Sequence, residues 1–263
     1  MHKKRYTFED LLEIMKILRA PGGCPWDREQ DHESLKKYLL EESYEVLEAI
    51  DLKSPEKLCE ELGDVLLQVI FHARIAEENG QFTIDDVIHG VSEKMVHRHE
   101  HVFGKKHAET ADDVIELWDK IKKKEKGTKN QTAVLKDVPA ILPALMRSYK
   151  VQEKAAKVGF DWDHVDDAWK KVREESEEFY EAYKSEDMEK ASEELGDLLF
   201  AVVNVARFLK IQPELALTGT VNKFIKRFEY IETKSREAGR ELTDMTLEEM
   251  DLLWEEAKTK LSE

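Results

Sequence analysis

One stretch of 34 residues occurs twice. Residues 41–74 laid over residues 174–207, at an offset of 133, give seventeen identical pairs. Glu41-Glu42-Ser43-Tyr44-Glu45 meets Glu174-Glu175-Ser176-Glu177-Glu178, and Glu60-Glu61-Leu62-Gly63-Asp64 meets Glu193-Glu194-Leu195-Gly196-Asp197. Farther on, Lys94 and Arg98 meet Lys223 and Arg227 at an offset of 129, and Trp118 meets Trp254 at 136. Small offset changes are loop-length differences, which connecting segments tolerate. Solenoid repeats run about 20–50 residues, so a period this long means two copies of one domain. The copies occupy residues 1–125 and 138–263. Between them, residues 126–137 read as a polar linker, with Gly127-Thr128-Lys129-Asn130-Gln131-Thr132 at its start.

Each copy reads as helix after helix. Only 11 glycines and 6 prolines occur in 263 residues, too few turn formers for a sandwich or barrel. Phe8, Leu11, Leu12, Met15 and Leu18 fall at helical spacing, and residues 20–25 break the pattern at Pro21-Gly22-Gly23. Helices are predicted over 34–52, 55–78, 83–102 and 112–126. Ser54 caps the second of these, with Pro55 at its first position. The second copy repeats the rhythm near 143–157, 164–184, 186–210, 213–238 and 246–261. The fold class is therefore all-α, two tandem helical bundles.

Composition excludes several function classes. No apolar run approaches the ~18–20 residues of a membrane span, and residues 1–7 lack the apolar stretch of a secretory signal. Two cysteines, Cys24 and Cys59, cannot build a disulfide framework or a four-thiolate zinc site. Reduced thiols in a cytoplasmic protein are the expectation. A formal charge of −16 opposes binding to nucleic-acid polymers, which relies on basic surface. It does not oppose a small phosphorylated ligand, because carboxylates attract divalent cations and those cations carry phosphate.

The repeated acids are the strongest chemical signal. Glu42 and Glu45 lie three apart on one helix face, as do Glu61 and Asp64 on the next helix. Glu175, Glu178, Glu194 and Asp197 are their second-copy equivalents. A short connection lets the two helices run antiparallel, so four carboxylates converge. Without a cation they repel. With Mg²⁺ they supply hard oxygen ligands at about 2.0–2.1 Å and leave positions for water and phosphate. Taken alone, such a run is more often a solvated helix face. Here it spans two helices in matching register, and both copies retain it.

Other features are weaker. Lys94 with Arg98, and Lys223 with Arg227, are i, i+4 cation pairs able to grip phosphate oxygens. Trp118 and Trp254 suit either the core or stacking on a base. Gly63 and Gly196 sit inside helices, either for close approach beside the acids or for ordinary tight packing. The second copy has Lys226, Phe228 and Tyr230 where the first has His97, His99 and His101. A shared mechanism therefore cannot need these histidines, which read as surface or capping residues.

The order E-E-x-x-E, E-L-G-D about fifteen residues on, then K-x-x-x-R, resembles the MazG-type nucleoside triphosphate pyrophosphohydrolases. Gly23-Cys24-Pro25-Trp26-Asp27, Arg98-His99-Glu100-His101-Val102-Phe103-Gly104 and the run from Leu142 through Lys157 to Val158-Gly159-Phe160-Asp161-Trp162 are also similar to its tandem-domain members. The resemblance implies helical domains that pair into homodimers. It implies Mg²⁺-dependent hydrolysis, with Mn²⁺ the alternative, of (deoxy)nucleoside triphosphates to monophosphate and pyrophosphate. The implied metal ligands are Glu175, Glu178, Glu194 and Asp197, and by repeat Glu42, Glu45, Glu61 and Asp64. Lys223 and Arg227, and by repeat Lys94 and Arg98, would bind phosphate. Trp254 would lie by the nucleotide, with Lys171, Glu174, Glu175 and Lys190 in contact with it. One carboxylate not fully used by metal would take the proton from water: Glu42 or Glu175, or their neighbours Glu41 and Glu174. His97 departs from the basic residue more usual at its position.

The competing reading is a non-catalytic acidic adaptor that binds Mg²⁺ and nucleotide. An adaptor needs no cation pairs beside matched carboxylates, which favours the enzyme. No His-Asp dipeptide exists for an HD-type hydrolase, and the lone E-x-x-H, Glu29–His32, has no second-copy partner for a di-iron bundle. P-loop and Rossmann glycine patterns are absent. Lys170, Lys171, Arg173 and Lys226 surround the second set of acids with more positive charge than the first has. Extra positive charge favours a triphosphate, so the second copy is expected to carry most of the activity.

Overall fold

The computed structural model describes residues 4–110, 113–114, 117–118, 121 and 130–261. Among the described residues there are twelve α-helices and no strand, and none of these helices is long and apolar enough to cross a membrane. The chain divides into two compact units, residues 1–125 and 126–263.

In the first unit, α1 (Phe8–Arg19) starts at a capping box in which Thr7 and Asp10 exchange bonds with each other's backbone. The short α2 (Pro25–Glu29) forms where the glycine-proline break alone is predicted. Proline at the first helical position is pre-set for a helix start, and that is enough for one turn. Helices α3 (Lys36–Asp51) and α4 (Pro55–Glu78) form the acidic hairpin. The Ser54 hydroxyl accepts the Lys57 N–H at 3.3 Å, as a cap should. A single helix predicted over 83–102 is instead two, α5 (Ile84–Arg98) and α6 (Glu100–Phe103), broken at His99 with φ −101° and ψ 43°. The predicted helix at 112–126 lies mostly outside the described residues. Met15, Leu35, Ile70, Phe71 and Ile75 are the buried centre, with Tyr38 and Leu67 packed against it.

The second unit begins with α7 (Gln131–Lys136), inside the segment that composition marks as linker. The Asn130 side chain accepts the Ala133 N–H at 2.9 Å. Two further bonds tie α7 to α8 (Ala144–Ala156): Gln131 Nε2 donates to the Lys154 carbonyl at 2.7 Å, and Lys154 Nζ donates to the Val134 carbonyl at 2.9 Å. Then come the second acidic hairpin, α9 (Val165–Lys184) and α10 (Met188–Phe208), and α11 (Pro213–Glu237) with α12 (Leu247–Lys260). Asp187 caps α10 as Ser54 caps α4, 133 residues earlier. Helix α8 packs on α10 and α11, and α11 on α12. The buried apolar residues of α9 and α10 are Ala168, Ala182, Ala191, Ala201, Val203 and Val205.

Both hairpin turns use the left-handed region without glycine, at Lys53 (φ 52°) and Glu186 (φ 57°). At the far end of the hairpins the copies differ: Gly80 (φ 67°) follows α4, and Lys210 (φ 57°) follows α10.

Candidate functional site

The hairpin geometry gathers the acids. Glu175, Glu194 and Asp197 each offer an oxygen within 4.8 Å of the others'. Glu42, Glu45 and Glu61 do the same in the first unit. Each unit thus brings together three of its four predicted ligands; Glu178 and Asp64 stand outside the triplets. Electrostatics show that these groups crowd. Burial, then Asp64 and Glu45, push the Glu42 carboxyl above its ordinary range. Burial, then Glu45 and Glu60, do so for Glu61, and burial, then Glu175 and Glu194, for Glu178. Hard oxygen donors that resist ionising together fit a divalent cation, whose ligand oxygens sit up to about 4.2 Å apart across its centre.

The second triplet has a cationic partner with no counterpart at the first among the described residues. Lys171 Nζ bridges Glu175 Oε1 at 2.6 Å and Glu174 Oε1 at 2.8 Å. These two glutamates raise the Lys171 pKa and hold it charged. Glu175 is 6% exposed, and a carboxylate buried that far needs such a partner. Lys190 Nζ lies 4.0 Å from Glu194 Oε1. At the repeat offset, Lys171 corresponds to Tyr38.

Lys171, Glu175 and Asp197 help to line a cavity of about 610 Å³, whose wall also includes Gln152, Trp162 and Asn204. Such a volume is in the range of small-molecule sites. Gln152 falls in the run from Leu142 to Trp162 that resembles the tandem-domain members, though without a role, and no motif pointed to Asn204. The only signal was that position 204 breaks the repeat, with Asn where the first copy has Phe71.

Other expected residues lie elsewhere. Lys223, Arg227 and Trp254 are not part of the cavity wall. The Arg227 guanidinium sits 5.5 Å from the centre of the Trp254 ring, which packs on Phe224 at 5.1 Å. Arg227, Phe224 and Trp254 form their own cluster on α11 and α12. In the first unit, Lys94 is exposed and Arg98 half-buried on α5, and Trp118 meets the His99 ring edge-on at 4.9 Å. His99 also ends α5, with its Nδ1 2.6 Å from the Met95 carbonyl, in keeping with a capping role. Glu41 and Glu174 are exposed. Gly63 and Gly196 are explained by neither expected reason, because a Cβ at either would meet nothing within 4 Å.

Comparison with known proteins gives the family. The MazG nucleotide pyrophosphohydrolase domain matches residues 30–103 and 166–231, the two acidic hairpins with their flanks. The chain is 46% identical to the nucleoside triphosphate pyrophosphohydrolase/pyrophosphatase MazG of Thermotoga maritima, over 98% of both chains. It is 44% identical to the nucleoside triphosphate pyrophosphohydrolase of Escherichia coli K12, over 94% of this chain and 95% of that one. It is also 54% identical to the uncharacterized protein YabN of Bacillus subtilis, over 96% of this chain but 52% of that protein. Matched along both repeats, and nearly end to end in two of these relatives, the chain belongs to the MazG nucleotide pyrophosphohydrolase family.

Proposed function

We propose that the chain hydrolyses (deoxy)nucleoside triphosphates to monophosphate and pyrophosphate with Mg²⁺, or Mn²⁺, as cofactor. The observation that carries this reading is the carboxylate triplet, with Glu175 buried, beside a nucleotide-sized cavity that Glu175, Asp197 and Lys171 help to line. Glu175, Glu194 and Asp197 hold the cation, with Glu178 beside them. A cation bound there neutralises phosphate charge and lowers the pKa of a bound water. Lys171 and Lys190 supply positive charge at the triphosphate. Glu174 lies outside the triplet and pairs with Lys171, and it is the carboxylate proposed to take the proton from water. Glu41 has that place in the first unit. Identifying products from a nucleotide panel, with and without Mg²⁺, tests the reading. Pyrophosphate and monophosphate are expected; diphosphate with orthophosphate sinks it, and binding without turnover restores the adaptor.

The assembly proposed is a homodimer. Leu195, Leu199 and Val202 on α10, and Leu62, Leu66 and Val69 on α4, form exposed apolar stripes, which on a lone subunit mark an interaction surface. Phe224, Ile225 and Phe228 are likewise exposed around Lys223 and Arg227. Light scattering is expected to give twice 30.7 kDa; a mass of one subunit at assay concentration contradicts this.

A further inference from the structure

The Glu29–His32 pair has no counterpart in the second copy, but His32 has a partner in space. Its Nδ1 lies 2.8 Å from Nδ1 of His72, on α4. The ring centres are 5.1 Å apart and the planes 14° from parallel. The centres are farther apart than the nitrogens by a full ring width, which places both nitrogens on the line between the centres. The rings therefore meet edge to edge, each nitrogen aimed at the other. That is the geometry of an N–H···N hydrogen bond. It has room for one proton and none for a metal. Metal bonds of about 2.0–2.1 Å would need a wider gap, or nitrogens turned toward a common point.

One ring must donate and the other accept, so the bond survives with both rings neutral or with one of them charged. With both charged, two N–H groups and two positive charges face each other across the same gap. Groups coupled in this way take up protons in separate steps that belong to the pair. Burial first, and His32 second, lower the His72 pKa. The folded state thus binds fewer protons there than the unfolded chain, and the stability this ring contributes above its ordinary value is lost as pH falls. The charges around the pair are themselves engaged. Asp31 bears on His32 and favours its charged form, while its Oδ1 accepts the Glu33 and Ser34 N–H groups at 2.9 and 2.8 Å. Glu33 pairs with Lys36 at 2.6 Å. On α4, Arg74 is taken by Glu77 and Glu78, and on α1 Arg19 by Glu78 at 2.8 Å.

The pair sits where a short piece of backbone is pinned to the rest of the unit. Residues 26–34 are tied to one another: Gln30 Nε2 donates to the Trp26 carbonyl at 2.9 Å, and the Ser34 hydroxyl donates to Gln30 Oε1 at 2.8 Å. Among the described residues, two side chains outside this piece hold it by polar bonds. Arg19, on α1, donates to the carbonyls of Asp27 and Gln30, and a guanidinium keeps its charge throughout the physiological range. His72 holds the other end. Trp26 adds an edge-on contact with Tyr38, ring centres 5.9 Å apart. Leu35 then enters the core, and α3 starts at Lys36. The second unit has no such device: at the repeat offset His72 becomes Val205, which is buried.

We infer that His32 and His72 form a proton-operated latch in the first unit, which holds the α2–α3 connection on α4 and releases it when both rings are charged. Acid thereby loosens the entrance to the first acidic hairpin and leaves the second as it is. The inference stands apart from the hydrolase reading.

Imidazole nitrogen resonances and amide hydrogen exchange of the full-length protein, followed between about pH 8 and pH 5, test this. The two rings are expected to titrate in steps about one pH unit or more apart. Across the lower step, exchange protection in residues 27–35, corrected for the intrinsic effect of pH, should fall about 10-fold or more, and that in residues 166–175 should hold within about twofold. His32→Asn replaces an exposed ring by an amide that still bonds to His72 but takes no charge. It should fold normally and abolish the fall. His72→Ala should lower protection in the same residues at both ends of the range. Rings that titrate independently, protection unchanged across the lower step, or an equal fall in His32→Asn would each overturn the inference. Zn²⁺ that shifts both Nδ1 resonances at the upper pH would make the pair a metal site and overturn it as well.

Discussion

Glu194→Gln is expected to lower pyrophosphate release by about 100-fold or more, and Glu61→Gln by about threefold or less. Both substitutions keep the side chain's shape and remove one charged member of a triplet. A hundredfold loss is about 2.7 kcal/mol of transition-state stabilisation, within what one metal-holding carboxylate supplies. The asymmetry comes from surroundings rather than from the acids. Glu194 belongs to the unit with Lys171 at the triplet and an open cavity beside it. Glu61 belongs to the unit where Tyr38 and Phe71 pack into the core instead. Steady-state rates on one nucleotide, with circular dichroism to confirm folding, make the comparison. A larger loss from Glu61→Gln would reverse the assignment, and equal losses would mean two working sites.

Chelating divalent cations is expected to abolish turnover, to about one-thousandth or less, and restored Mg²⁺ to recover it. The same cation should raise the thermal midpoint. A ligand at 100 times its dissociation constant stabilises the folded state by about 2.7 kcal/mol, and here it also removes repulsion among carboxylates. The pH dependence follows in sign. Glu42, Glu61 and Glu178 have pKa values pushed up in the metal-free fold. For a carboxylate so raised, the folded state binds the extra proton, so its contribution to metal-free stability falls as pH rises above the ordinary value. Protons and metal compete for the same oxygens. The gain in midpoint from Mg²⁺ should therefore grow between about pH 5 and pH 7. A gain that is flat across that range, or absent, would count against metal at the triplets.

Much of the fold was legible because it rests on local rules. Pro55–Glu78 was delimited by a capping serine, a first-turn proline and Asn79-Gly80 at its end, and the repeat carried that reading to the second hairpin. Misses came where one side chain decided the matter. His99 ended a helix that periodicity carried through, and Asn130 began one inside a polar run. In the site, spacing placed the acids on facing helices but could not choose which three of four would meet. The cavity was illegible for a different reason. It depends on Ala201 and Asn204 being smaller and more polar than Gln68 and Phe71, a contrast that gains meaning only when the packing around both copies is visible.

The turns joining the acidic helices preserve a trace of descent. Lys53 and Glu186, 133 residues apart, hold opposite charges yet share a left-handed backbone that favours neither. What has been inherited there is a path through space, independent of the side chain on it. At the other end of the hairpins the helices end at different lengths, and the left-handed residue is glycine once, at Gly80, and lysine once, at Lys210. A duplicated chain is thus its own two-member lineage. Where its copies agree in conformation but not in residue, the hairpin needs the shape. Where the shared helix carries unlike residues, as at Phe71 and Asn204, the copies have been free to take up separate work.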